Sequence, residues 1–131
     1  MRLAAVVLLL SVLPVTSLAQ ETDCAAAQTQ AEMNACAYQD WEAADAVLNA
    51  LWPQARAAMK AQDADLPEEL KGADQALLNA QRAWIAFRDA QCASEGFAMR
   101  GGSAEPLLIY GCMASLTEDR VEDLRAVIEG Y

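Results

Sequence analysis

The chain has 131 residues, no histidine, and 19 Asp and Glu against 9 Lys and Arg, for a net charge of −10. That balance argues against binding nucleic acid or anionic lipid, and it either favours a cationic partner or simply keeps an exported protein soluble. The length suffices for one domain with a single core, not for two.

Arg2 precedes an apolar run from Leu3 to Val15, and Ser17-Leu18-Ala19 supplies the small residues of a cleavage site. This is the layout of a secretory signal peptide cut after Ala19. The run is too short to span a bilayer comfortably, which weighs against an uncleaved anchor. A lipoprotein would need a cysteine directly after the site, where Gln20 stands, and Cys24 comes too late. Residues 1–19 are therefore expected to be a signal peptide and residues 20–131 one helical domain. The protein is expected to be periplasmic or secreted, with no stable membrane insertion after cleavage. Removing the signal takes away only Arg2 among the charged residues, leaving eight cationic against nineteen acidic side chains, a net charge of −11. In an exported chain, Cys24, Cys36, Cys92 and Cys112 read as two disulfides, and sequence alone leaves all three pairings open. Their wide spacing, with no Cys-x-x-Cys and no histidine, weighs against zinc, so no metal or cofactor is expected.

Taken in order, Thr29-Gln30-Ala31-Glu32 has the form of a capping box and should start the first helix. Ala37, Trp41, Ala44, Leu48, Trp52, Ala55 and Met59 recur at three- and four-residue steps and give it one apolar face. Pro53 predicts a kink there or a fresh start. Cys36 points away from this face, towards Met33, Val47 and Leu51, so the helix should be contacted on two sides. Asp65-Leu66-Pro67-Glu68 predicts a second helix from about Pro67 to Glu95, through Gly72. Leu77, Leu78, Trp84, Ile85 and Cys92 form its stripe, and Gly96 its end. Gly101-Gly102-Ser103 predicts a flexible loop before Pro106. The third helix carries Ile109, Cys112, Leu116, Leu124 and Val127 on one face. There is no repeat and no strand-like alternation. The expected fold is all-α: a small three-helix antiparallel bundle, its first helix kinked near Pro53, stapled by two disulfides.

Polar residues interrupt these apolar stripes: Asp45 on the first helix, Gln81 and Arg88 on the second, Thr117 and Arg120 on the third. A buried guanidinium needs a partner. The simplest arrangement makes Asp45 the carboxylate shared by Arg88 and Arg120, with Gln81 and Thr117 completing the hydrogen bonds. A carboxylate flanked by arginines is a poor general acid. The chain also has no histidine, no Gly-x-Ser-x-Gly elbow and no phosphate loop. The set is therefore read as a structural polar network, the chain as no enzyme, and Trp41, Trp52 and Trp84 as core rather than a ligand cage.

Gln30–Ala37, then Ala44-Asp45 and Leu48-Asn49, resemble the opening of the LprI-like family. Gln81-Arg82-Ala83-Trp84 followed by Phe87-Arg88-Asp89-Ala90-Gln91-Cys92 is similar to its most distinctive segment. Gly101-Gly102-Ser103, Cys112, and Leu116-Thr117 with Arg120 and Leu124 complete a resemblance over nearly all of the mature chain. It implies a small, exported, disulfide-bonded helical domain. It also implies a lysozyme inhibitor, the activity of the name-giving member, a surface lipoprotein from which this chain departs in lacking a lipoprotein cysteine. The expected function is thus inhibition or binding of lysozyme or another cationic wall hydrolase by occlusion of its cleft. Gly101, Gly102, Ser103 and Glu105 are the candidate inhibitory loop, against the plainer reading of Ser103 as a helix N-cap. The alternative function is a periplasmic protein–protein interaction module without an enzyme target, supported by Leu107-Leu108-Ile109-Tyr110, where Leu108 points away from the core stripe towards an exposed patch. Oligomeric state is not legible in the sequence.

Overall fold

A computed structural model describes residues 22–130, so the signal-peptide reading lies outside the described residues. A short 3₁₀ turn, Cys24–Ala26, leads into helix α1, Gln30–Ala64. The capping box forms as the sequence predicts. Thr29 Oγ1 accepts from the Glu32 N–H at 3.2 Å, and the Glu32 carboxylate accepts from the Thr29 and Gln28 N–H groups at 2.9 Å each. At 35 residues, α1 is about 50 Å long and is the longest element. It passes through Pro53 as one helix, so no fresh start occurs there. Pro53 and Asn49, whose carbonyl loses its helical donor, both face solvent, where water can take over the bond.

The second helix starts later than predicted. Pro67 and Glu68 open only a 3₁₀ turn, Glu68–Leu70, and α2 runs Ala73–Gly96. The break is at Gly72, whose φ of 142° lies outside the range that other residues readily adopt. Asp63, near the end of α1, supplies the cap. Its Oδ1 accepts from the Gly72 and Ala73 N–H groups at 2.8 Å and its Oδ2 from Asp74 N–H at 3.2 Å. Arg56 then pairs with Asp74 at 2.5 Å and closes the corner.

A third 3₁₀ turn, Phe97–Met99, and a short loop lead to α3, Glu105–Glu129. The three helices run up, down and up, so α1 and α3 are parallel. α3 packs along α1 over most of its length, while α2 makes smaller interfaces with both. Leu48, Ala55, Leu77, Val121, Leu124 and Val127 form the buried core, with Trp52 and Trp84 packed against it. Ile85, placed on the α2 stripe by periodicity, is 41 % exposed, because the α2 interfaces are narrow.

The disulfides are Cys24–Cys36, which ties the leading segment to α1, and Cys92–Cys112, which ties the end of α2 to α3. Beside the second bridge the helices approach so closely that a Cβ on Gly96 would lie 2.6 Å from Ile109 Cγ1. Among the described residues, no helix is long and apolar enough to cross a membrane.

Candidate functional site

The interior polar residues meet where the three helices face one another. Arg88 is 7 % exposed. Its Nη1 lies 3.4 Å from Asp45 Oδ1 and 3.5 Å from Thr117 Oγ1, and its other nitrogens reach Asp89 at 2.9–3.0 Å. Asp45 does not reach Arg120. It accepts from Asn49 Nδ2 at 2.7 Å, while Arg120 donates to Gln81 Oε1 at 3.0 Å and to Asp123 at 3.3 Å. The cluster is thus two separate groups near Trp84, Arg88 with Asp45 and Arg120 with Gln81, not one carboxylate shared by two arginines. The Arg88 and Arg120 guanidinium carbons lie 5.1 and 6.0 Å from the Trp84 ring, and Arg88 lies 5.8 Å from Trp41. Both cations thus have an aromatic ring as well as a carboxylate for company.

A notch of about 140 Å³ lined by Asp45, Gln81, Trp84 and Arg88 opens beside this cluster. That is below the few hundred cubic ångströms of a typical small-molecule site. The cluster joins side chains from all three helices.

The loop between α2 and α3 has the opposite character. Gly101, Gly102 and Ser103 are exposed, as are Phe97 at 63 % and Met99 at 51 %. Its backbone is nevertheless tied at several points. Glu105 accepts from the Gly101 N–H at 2.8 Å and from Arg100 Nη1 at 2.6 Å, while the Asn34 side chain of α1 donates to the Ser103 carbonyl at 2.8 Å. Gly101 has φ 77°, the left-handed region that glycine adopts without strain. The Gly101 N–H, and after it the Arg100 guanidinium, hold the Glu105 carboxyl below its ordinary pKa. Arg100 also lies 4.8 Å above the Phe97 ring. Glu105 is therefore turned inward and shapes the loop, whereas Ser103, the two glycines and the Phe97–Arg100 turn face outward. Ser103 is not the N-cap: that position is Ala104, with no side-chain cap, because the loop closes through Glu105 instead.

The family whose profile matches this sequence is described as lysozyme inhibitor LprI, and the match covers residues 22–124. The chain belongs to the LprI family. It is also 45 % identical over 119 residues to the uncharacterized protein R02472 of Rhizobium meliloti (strain 1021), covering 88 % of this chain and 86 % of that protein. No solved structure matches it. The LprI match takes in every residue of the polar cluster and of the α2–α3 loop.

Sequence reasoning missed three features of this LprI domain. One is the Asp63 cap, which no local motif announces because its partners lie nine to eleven residues away. Another is the cluster of Tyr38, Trp41 and Tyr110, with ring centroids 5.0–5.7 Å apart, which joins α1 to α3. The third is the pair of outward apolar residues Phe97 and Met99 just past the end of α2, to which the sequence reading assigned no role. Leu108, the expected exposed residue, is half-buried.

Proposed function

We propose that this protein is an exported inhibitor of lysozyme, or of a similar basic wall hydrolase, and that it acts by inserting the α2–α3 loop into the enzyme's polysaccharide cleft. Membership of a family described as lysozyme inhibitors supports the target class. The observation that carries the loop reading is that the segment is exposed at its tip and tied at its base. Cys92–Cys112 fixes its two ends, and Glu105 and Asn34 fix its middle. A segment ordered before binding loses little entropy on docking. Gly101 and Gly102 let the backbone approach closely, Ser103 offers a hydroxyl, and Phe97 and Met99 add apolar area. The net charge of −10 steers association with a basic enzyme.

The test is a lysozyme turbidity assay on the oxidised protein without residues 1–19, at two salt concentrations and with several lysozyme types. Near-stoichiometric inhibition that persists at moderate salt supports the reading. In the same assay, replacing Ser103 by Ala together with Phe97 and Met99 by Ser should weaken inhibition at least about tenfold, the scale expected for residues central to an interface. Inhibition by the native chain that vanishes with salt would reduce the effect to net charge and sink the loop reading.

A further inference from the structure

The seam between two packed helices has a groove on each side, and here α2 covers only one of them. The other stays open along the parallel pair α1 and α3, as two adjoining hollows of about 520 and 340 Å³ that share Asp40 and Glu118, the larger one bounded at its end by Cys24 and Ala27 of the leading segment. From Met33 to Val47 on α1 it spans four turns, or about 20 Å. We propose that this groove receives a basic amphipathic helix of a protein partner, which completes a four-helix arrangement. The proposal makes no use of the α2–α3 loop, so the two readings fail separately.

The first support is the floor. Ala37, Ala44, Gly111 and Ala114 leave it shallow and let another helix come close. Gly111 is the telling residue, because glycine inside a helix is unfavourable relative to alanine. Gly96 is explained within the chain, since a Cβ there would strike Ile109. Gly72, Gly101 and Gly130 are explained by their positive φ. Gly111 has neither reason: it is helical, exposed, and an added Cβ would meet nothing within 4 Å. Its missing side chain makes room on the outer surface of the fold, in the larger of the two hollows.

The second support is charge, which selects the occupant. Asp40 and Glu118 line both hollows and form no ion pair or side-chain hydrogen bond among the described residues. Glu122 stands beside them. Arg125, the one cation lining the groove among the described residues, is already paired with Glu122. Small apolar residues below and uncompensated carboxylates along the rim fit a helix that presents short apolar side chains inward and Lys or Arg at its edges.

The experiment measures binding of a synthetic helical peptide of about 18 residues, built from Ala, Leu and Lys with the lysines along the two edges of the apolar face. Titration is done at about 150 mM salt, where longer-range attraction is screened. Gly111→Leu, which fills the groove, and the pair Asp40→Asn with Glu118→Gln should each weaken binding at least about tenfold. The pair Asp65→Asn with Glu69→Gln removes the same charge at the α1–α2 connection and should change binding by less than about twofold. In the unbound protein, Gly111→Ala should raise the melting temperature by a few degrees. Equal weakening by both acid pairs would reduce the effect to net charge and overturn the proposal. So would native affinity in Gly111→Leu, or a lower melting temperature in Gly111→Ala. A dimer in sedimentation that Gly111→Leu converts to monomer would assign the groove to a second copy of this chain, and would likewise overturn it.

Discussion

Arg88 and Arg100 belong to the same stretch of chain, and they are held in opposite ways. Arg88 has 8 % of its side chain exposed, and its contact to Asp45 on the neighbouring helix is long at 3.4 Å. Its close ion pair, at 2.9 Å, is with Asp89 beside it in sequence, and two tryptophan rings lie 5.1 and 5.8 Å away. Arg100 is 65 % exposed, yet it meets Glu105 at 2.6 Å and lies over Phe97. Where water is excluded, the arginine packs against aromatic rings and touches side chains of all three helices. Where water is plentiful, the arginine acts through local hydrogen bonding that shapes one loop. A surface ion pair adds little stability, so the second arrangement is to be judged by what it presents. The first is to be judged by what fails when it is removed.

The bridge that joins the two regions gives the largest expected effect. Replacing Cys92 and Cys112 by Ala opens a loop with a sequence separation of 20, for a chain-entropy loss of about 3 kcal/mol. Cys24 and Cys36, separated by 12, come to about the same by the same relation. The two pairs should therefore lower stability similarly in urea unfolding. They should differ sharply in lysozyme inhibition, which the Cys92–Cys112 loss should abolish and the Cys24–Cys36 loss should largely spare. Equal effects on inhibition would mean that overall stability, and not the ordering of the loop, was at stake.

Arg88→Ala tests the interior alone. Removing one partner of a fully buried pair costs about 3–5 kcal/mol, but Asp45 is 35 % and Asp89 54 % exposed and neither is stranded without water. The expected loss is therefore about 1–3 kcal/mol, mostly packing against the tryptophans and the contact to Thr117. Arg88→Met, which keeps the bulk, should recover most of it. If Met is as harmful as Ala, the charge itself holds the register. Gly96→Ala comes next, at about 1–2 kcal/mol, since Ile109 must move to admit a methyl. Its effect should be less than additive with Ile109→Ala, as expected for side chains in direct contact.

The helices, the capping box and the loop position were legible because each rests on a local pattern, such as apolar periodicity or Thr29 with Glu32. The membership of the polar cluster was legible as well: Asp45, Gln81, Arg88, Thr117 and Arg120 interrupt apolar stripes, and the structure brings them to one junction. Its wiring was not, because periodicity places residues on a face but does not choose among the acceptors that a long arginine side chain can reach there; Arg120 meets Gln81 and Asp123. The start of α2 was misread for a related reason. Pro67 and Glu68 form a good local start signal, but Asp63 offers three backbone N–H groups a better one from the neighbouring helix end. The inward turn of Glu105 and the outward turn of Phe97 were equally out of reach, since both depend on how the loop closes.

The smallest expected effect separates the loop from the interior by pH. Glu105 has its carboxyl held below the ordinary value of 4.5, first by the Gly101 N–H and then by Arg100. A group with a depressed folded pKa contributes stability that is fully present above its unfolded pKa and is lost as pH falls through the folded one. Between pH 6 and 8 the native chain should therefore melt at a constant interval above Glu105→Gln. That interval should shrink as pH drops below about 4.5 and close once Glu105 is protonated in both states. Asp63 and Asp74 are also held below their ordinary values, the first mainly by the Ala73 and Gly72 N–H groups and the second by Arg56, so both variants keep a common acid loss. What identifies the loop is the difference between the two melting curves. An interval that stays constant into acid would mean that Glu105 shapes the loop by its bulk alone, and the contrast between the two arginines would then rest on Arg88.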